Sequence, residues 1–127
     1  MTFHAAVWLD HNDAKVFHIG AEEVHEELVH APKHHVKGHT NPHAGHGETR
    51  EEKEYFDKIV KAVGDAREIV VLGPGTAKLA MIKHVTKHDA GFAKRVVGVE
   101  TVDHPTDGQI VAYVRKYFRA VDRMLGT

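Results

Sequence analysis

Histidine dominates one stretch of this chain. From His25 to Glu48 it reads HEELVHAPKHHVKGHTNPHAGHGE and contains His25, His30, His34, His35, His39, His43 and His46, seven of the thirteen histidines. Imidazole titrates near neutrality, and its neutral form binds transition metals. A loop over residues 31–47 could gather His34, His35, His39, His43 and His46 around Zn²⁺ or Ni²⁺. Against a dedicated site, the spacing is irregular and no carboxylate or cysteine is interleaved between His30 and His46. Adventitious uptake explains the same residues. Lys33 and Lys37 add fixed positive charge, so the loop could equally contact an anion. Such binding is expected to strengthen on mild acidification, as exposed imidazoles gain protons.

Three further groups could carry chemistry. Gly73-Pro74-Gly75-Thr76-Ala77-Lys78 joins an apolar run to a helical pattern, and a helix N-terminus beside a lysine can hold phosphate. Gly73, Gly75, Thr76 and Lys78 are the residues concerned; the pattern is neither a Walker A loop nor a dinucleotide fingerprint. A tight turn for close strand–helix packing explains them as well. Lys83, His84, Lys87 and His88 lie one helical turn apart in pairs, with Lys94 and Arg95 following. His84 and His88 have the spacing of the histidines in HExxH, but the intervening Val85-Thr86-Lys87 supplies no glutamate base. Lys83 and Lys87 therefore read as a ridge for RNA phosphates, or as a solvated helix face. Asp103-His104-Pro105-Thr106-Asp107 could orient an acid–base histidine, although a helix cap accounts for it too. With no serine and no cysteine in the chain, only threonine or water could act as nucleophile. A metal nuclease built on Asp10, Glu52 or Glu54, and Asp103 or Asp107 is a further option, each residue also suiting a turn or cap.

The elements that must position these groups follow from periodicity. Phe3–Leu9 is a short apolar strand, and Asp10-His11-Asn12-Asp13 is a turn by composition. Lys15–Ile19 and Glu23–His30 alternate as strands. Thr49 and Glu52 have capping-box spacing ahead of a helix carrying Tyr55, Phe56, Ile59, Val60 and Val63. Glu68–Leu72 reads as a buried strand. A helix over 76–87 should bury Leu79, Ile82 and Val85, and Arg95–Val102 is a second buried strand. Thr106 and Gln109 cap a last helix lined by Ile110, Val114, Tyr117, Phe118, Val121 and Leu125. The order βββαβαβα, with right-handed crossovers, predicts an α/β protein of ribonuclease-H-like arrangement: a mixed five-stranded sheet in order 3-2-1-4-5 with helices on its faces.

Composition sets the outer bounds. The 127 residues suit one domain, taken as 1–127. Without cysteine, disulfides and thiolate chemistry are excluded. No basic region followed by an apolar run opens the chain, and no apolar stretch nears the roughly 20 residues of a membrane helix. The expected location is cytoplasmic, without membrane contact. Net charge is −1, but residues 1–57 hold eleven acidic and five basic side chains, and residues 58–127 hold seven and twelve. The second half could present a basic surface to a polyanion.

Three segments, AAVWLDHNDAKVFHI, EIVVLGPGTAK and KRVVGVETVDHPTDGQ, stand in an order that resembles the central domain of the eukaryotic and archaeal peptide-chain release factor and of its relative Pelota. The chain is similar throughout to the small stand-alone bacterial proteins of that lineage, of translational-machinery type. The resemblance implies the ribonuclease-H-like fold and a place on the ribosome. In the release factor, the loop after the third strand carries a Gly-Gly-Gln tip that promotes peptidyl-tRNA hydrolysis. Here that stretch is PKHHVKGHTNPHAGHG, and Gly108-Gln109 lies elsewhere in the predicted order. Release activity is therefore not carried over, and the codon-reading and partner-recruiting domains of those proteins have no counterpart in these residues. The expected function is a non-catalytic domain that binds structured RNA or the ribosome and requires no cofactor. A metal-binding protein using the histidine loop, with Zn²⁺ or Ni²⁺, is one alternative; a hydrolase or nuclease is the other.

Overall fold

The computed structural model describes residues 3–32 and 48–124. Strands β1 (His4–Leu9), β2 (Asp13–Ile19) and β3 (Val24–His30) form an antiparallel meander. Helix α1 (Arg50–Val63) leads to strand β4 (Glu68–Gly73), which pairs in parallel with β1. Helices α2 (Ala77–His88) and α3 (Ala90–Arg95) precede strand β5 (Val96–Thr101), parallel to β4, and helix α4 (Asp107–Met124) follows. The sheet order is β3-β2-β1-β4-β5, as periodicity predicts.

The sheet separates two apolar layers. Ala5, Val7 and Leu9 of β1 face α1, α2 and α3, meeting Phe56, Ile59, Met81, Val85 and Phe92. Ala6 and Trp8 face the other way, onto Ile110, Val114 and Phe118 of α4. Both faces of β1 and β4 are thus covered, which is why those strands read as continuous apolar runs rather than alternating ones. Strand β3 lies at the sheet edge and buries only Val29.

Both capping boxes form: Thr49 with Glu52, and Thr106 with Gln109. The structure departs from the sequence reading around α2. Leu79 is 56% exposed, and Met81 takes the buried position instead. The helix begins at Ala77, and its buried residues are Ala77, Lys78, Met81, His84 and Val85. Periodicity does not announce the short α3. Asp89 caps it by accepting the Phe92 N–H, and Phe92 is fully buried. The last strand accordingly starts at Val96 rather than Arg95.

Candidate nucleic-acid interface

The parallel strands β1, β4 and β5 end on one edge of the sheet, the position where open α/β sheets tend to hold ligands. Asp10 follows β1, Gly73-Pro74-Gly75 follows β4, and Asp103-His104 follows β5. The Asp10 carboxylate accepts from the Asn12 and Asp13 backbone N–H groups at 2.9 and 2.8 Å. Its carbonyl accepts from the Tyr55 hydroxyl at 2.9 Å. Burial, then the nearby Asp10 and Asp13 carboxylates, push that phenol well above its ordinary value of 10.0. The Trp8 indole N–H donates to the Asp103 carbonyl at 2.9 Å, tying β1 to the loop after β5.

On this scaffold His104 meets the Trp8 ring edge-on, with centroids 5.2 Å apart. Its Nδ1 is 2.9 Å from Asp103 Oδ1, and Nε2 is 3.8 Å from Asp10 Oδ2. An apolar cavity of about 510 Å³ opens beside it, lined by Leu72, Val102, His104, Pro105, Ile110 and Tyr113. Across the edge, His11 Nε2 lies 3.2 Å from Thr76 Oγ1. Thus His11, Thr76 and His104 share one rim with the glycine turn.

Lys78 does not project toward that rim. It is 6% exposed and its ammonium donates back to the Gly75 carbonyl at 2.5 Å, within its own turn. Gly73 is buried against Leu9, while Gly75 and Thr76 are exposed. The exposed side of α2 carries Lys83 and Lys87 in line with Leu79, at successive four-residue steps. His84 belongs to the opposite, buried side. Arg95 is also structural: its guanidinium donates to the Gly64 and Ala66 carbonyls at 3.0 and 2.5 Å, closing the turn between α1 and β4.

The carboxylates considered for a nuclease are dispersed in role. Asp10 holds its turn, and Glu52 closes a capping box. Asp107 accepts from Lys15 at 2.6 Å. Lys33, His34, His35, Lys37, His39, His43 and His46 lie outside the described residues. Two features escape sequence reasoning. Asp57 on α1 reaches His84, and Glu48 sits between His84 and His88. The i, i+4 histidine pair is visible in sequence; the partners, 27 to 40 positions away, have no local signal.

Geometry and topology define a class: an α/β domain built on a five-stranded mixed sheet in ribonuclease-H-like order. Particular solved structures share it. The Pelota protein of Thermoplasma acidophilum matches with a TM-score of 0.60 at 22% identity, over 90% of this chain and 32% of that one. Dom34 of S. cerevisiae, described as a translation termination-like factor involved in RNA quality control and interacting with Hbs1, matches with a TM-score of 0.55 at 9% identity, over 98% and 40%. An archaeal translation termination factor gives 0.55 at 13% identity, over 97% and 39%. The chain therefore spans between a third and two fifths of those proteins. No family model and no curated protein sequence matches it. Among the described residues, no helix is long and apolar enough to cross a membrane.

Proposed function

We propose that this chain is a translation-associated domain that binds structured RNA or the ribosome without catalysing peptide release. The observation that carries the reading is the whole-chain likeness in fold to translation termination-like factors, together with the absence of Gly-Gly-Gln from the sequence. The exposed row Leu79, Lys83 and Lys87 on α2 is the surface best suited to a phosphate backbone. Two ammonium groups can neutralise two phosphates, and the aliphatic side chain between them and the turn can rest on a sugar or base. Gly75 and Thr76 continue that surface at the helix start, and Lys33 and Lys37 extend the positive charge of the sequence beyond the described residues. Lys78, folded onto Gly75, acts by holding the turn.

Sedimentation of the native protein with ribosomes and subunits, across a salt series, tests the reading. Co-sedimentation at low salt that fades as salt rises is expected. Replacing Lys83 and Lys87 by glutamine should weaken binding and flatten the salt slope by about one unit per lost phosphate contact. A protein that stays in the supernatant at the lowest salt refutes the proposal.

A further inference from the structure

His84 is an unusual residue for a helix surface pattern. Its side chain is 3% exposed, and both ring nitrogens face carboxylates. Nε2 lies 2.8 Å from Asp57 Oδ1 in hydrogen-bond geometry. Nδ1 lies 2.6 Å from Glu48 Oε2, yet neither of these two buried atoms meets hydrogen-bond geometry with any partner among the described residues. One turn further along α2, His88 Nε2 stands 3.9 Å from Glu48 Oε1. The two imidazole rings are 5.0 Å apart, centroid to centroid. One ligand atom from each of Glu48, His84 and His88 falls within 4.8 Å of the others.

We infer that Glu48, His84 and His88 form a site for a divalent transition metal, of the Zn²⁺ class, and that Asp57 orients His84 within it. Ligand type and spacing agree with this. Two histidines at i, i+4 on one helix face present their nitrogens to one point, and a carboxylate completes a His₂Glu set with room for water as a fourth ligand. Asp57 supplies the outer partner: a metal-binding histidine almost always donates its other ring N–H to a carboxylate or carbonyl, which fixes the tautomer. With Nε2–H given to Asp57, the Nδ1 lone pair is left pointing at Glu48, where an acceptor facing an acceptor needs a cation between them.

The distances set the size of the adjustment. Tetrahedral zinc with bonds of about 2.0–2.1 Å separates its ligand atoms by about 3.3 Å. The 2.6 Å from His84 Nδ1 to Glu48 Oε2 falls short of that value, and the 3.9 Å from His88 Nε2 to the other carboxylate oxygen, Oε1, exceeds it. Glu48 would move outward from His84 by roughly 0.7 Å and His88, 40% exposed, would swing inward by a similar amount. The competing arrangement is a doubly protonated His84 held between two carboxylates with no metal.

The test must separate this site from uptake by the histidine loop. A variant of the whole chain with His34, His35, His39, His43 and His46 all changed to Gln is titrated calorimetrically with ZnCl₂. One site per chain, with Kd below about 1 μM, is expected, and ZnCl₂ should raise the Tm. In that background His88→Ala and Glu48→Gln should each weaken binding at least 100-fold. Asp57→Asn should weaken it about 10- to 100-fold, as loss of an outer partner does. His88 is on the surface, so His88→Ala keeps the fold, checked by an unchanged metal-free Tm. Failure of the loop variant to bind Zn²⁺ more tightly than about 10 μM overturns the inference in favour of the proton-only arrangement. Binding that survives His88→Ala unchanged overturns it as well.

Discussion

Gly73→Ala and Gly75→Ala form a matched pair that separates packing from anion binding in the glycine turn. A Cβ on Gly73 would fall well under 3.0 Å from the Leu9 carbonyl oxygen and 3.4 Å from its carbon. Backbone cannot swing aside as a side chain can, so the ends of β1 and β4 must part by roughly 1 Å. The displacement strains the Trp8–Leu72 pair and the Val102 N–H bond to the Gly73 carbonyl at 3.1 Å. Overpacking of this kind costs about 1–3 kcal/mol, and weakening one backbone hydrogen bond adds about 1 kcal/mol. The reduced freedom of the unfolded chain returns about 0.4–1 kcal/mol. Gly73→Ala should therefore destabilise by about 2–3 kcal/mol, which for a domain of this size lowers Tm by roughly 10 °C. At Gly75 nothing lies within 4 Å of where an added methyl group would stand, and the backbone angle is ordinary. Gly75→Ala should therefore be neutral or slightly stabilising. The assay is urea unfolding followed by fluorescence of Trp8, the single tryptophan, which is 5% exposed. A Gly73→Ala protein within about 0.5 kcal/mol of the parent refutes the packing argument. Reduced RNA binding by the stable Gly75→Ala protein would then report on the turn as an anion contact.

Other perturbations follow from the same geometry. Arg95→Met removes a charged donor from the Gly64 and Ala66 carbonyls and should cost about 1.5–3 kcal/mol in a denaturant titration. Lys15 holds Asp107 below its ordinary 3.8, chiefly through their hydrogen bond. That contribution is present above the ordinary value and lost as pH falls through the lowered one, so Lys15→Met should lower Tm slightly at pH 7 and have no effect near pH 2. Burial, then the hydrogen bond and charge of Asp122, raise Glu68 above its ordinary 4.5. The folded state holds that proton more tightly, so its contribution is full below pH 4.5 and lost as pH rises through the raised value. Glu68→Gln should flatten the fall in Tm over that window, and an unchanged profile would refute the assignment.

Most of the architecture is legible in sequence because local pattern and global packing agree in it. Strands β1 and β4 are apolar on both faces, the Asn/Asp turn leaves only a short hairpin, and both capping boxes announce their helices. The failures come where a residue's role depends on distant chain. Leu79 looks like core by type, but Ala77, Met81 and Val85, one turn apart, form the face of α2 that packs inward, and Leu79 lies off it. Helix α3 spans only six residues, too few for periodicity to mark, and Ala-Gly-Phe-Ala carries no helical stripe. Lys78 looks like a ligand for phosphate, and Arg95 like part of a basic ridge; carbonyls of nearby turns claim both. His84 reads as part of a solvated face because it stands among Lys83, Lys87 and His88, whereas in the fold it is buried between Asp57 and Glu48. The loop over 31–47 gives the richest sequence signal and lies mostly outside the described residues.

The outermost strand has a bearing on how copies of this molecule treat one another. Among the described residues, strand β3 has a strand partner on one side only, and its exposed Leu28 would favour a second strand laid against it. Along that edge stand His25, Glu26, Glu27 and His30. In a self-paired ribbon, carboxylates of one copy would face carboxylates of the next, a common guard against edge-to-edge aggregation. Burial, followed by Asp107, raises Glu26 above its ordinary 4.5, so this guard begins to discharge at higher pH than a free glutamate would. Light scattering of a concentrated solution taken from pH 7 toward pH 4.5 should show self-association rising in the parent, and rising sooner in Glu27→Gln. Whether two copies pair along this edge thus turns on the carboxylates of Glu26 and Glu27, not on the apolar Leu28 alone.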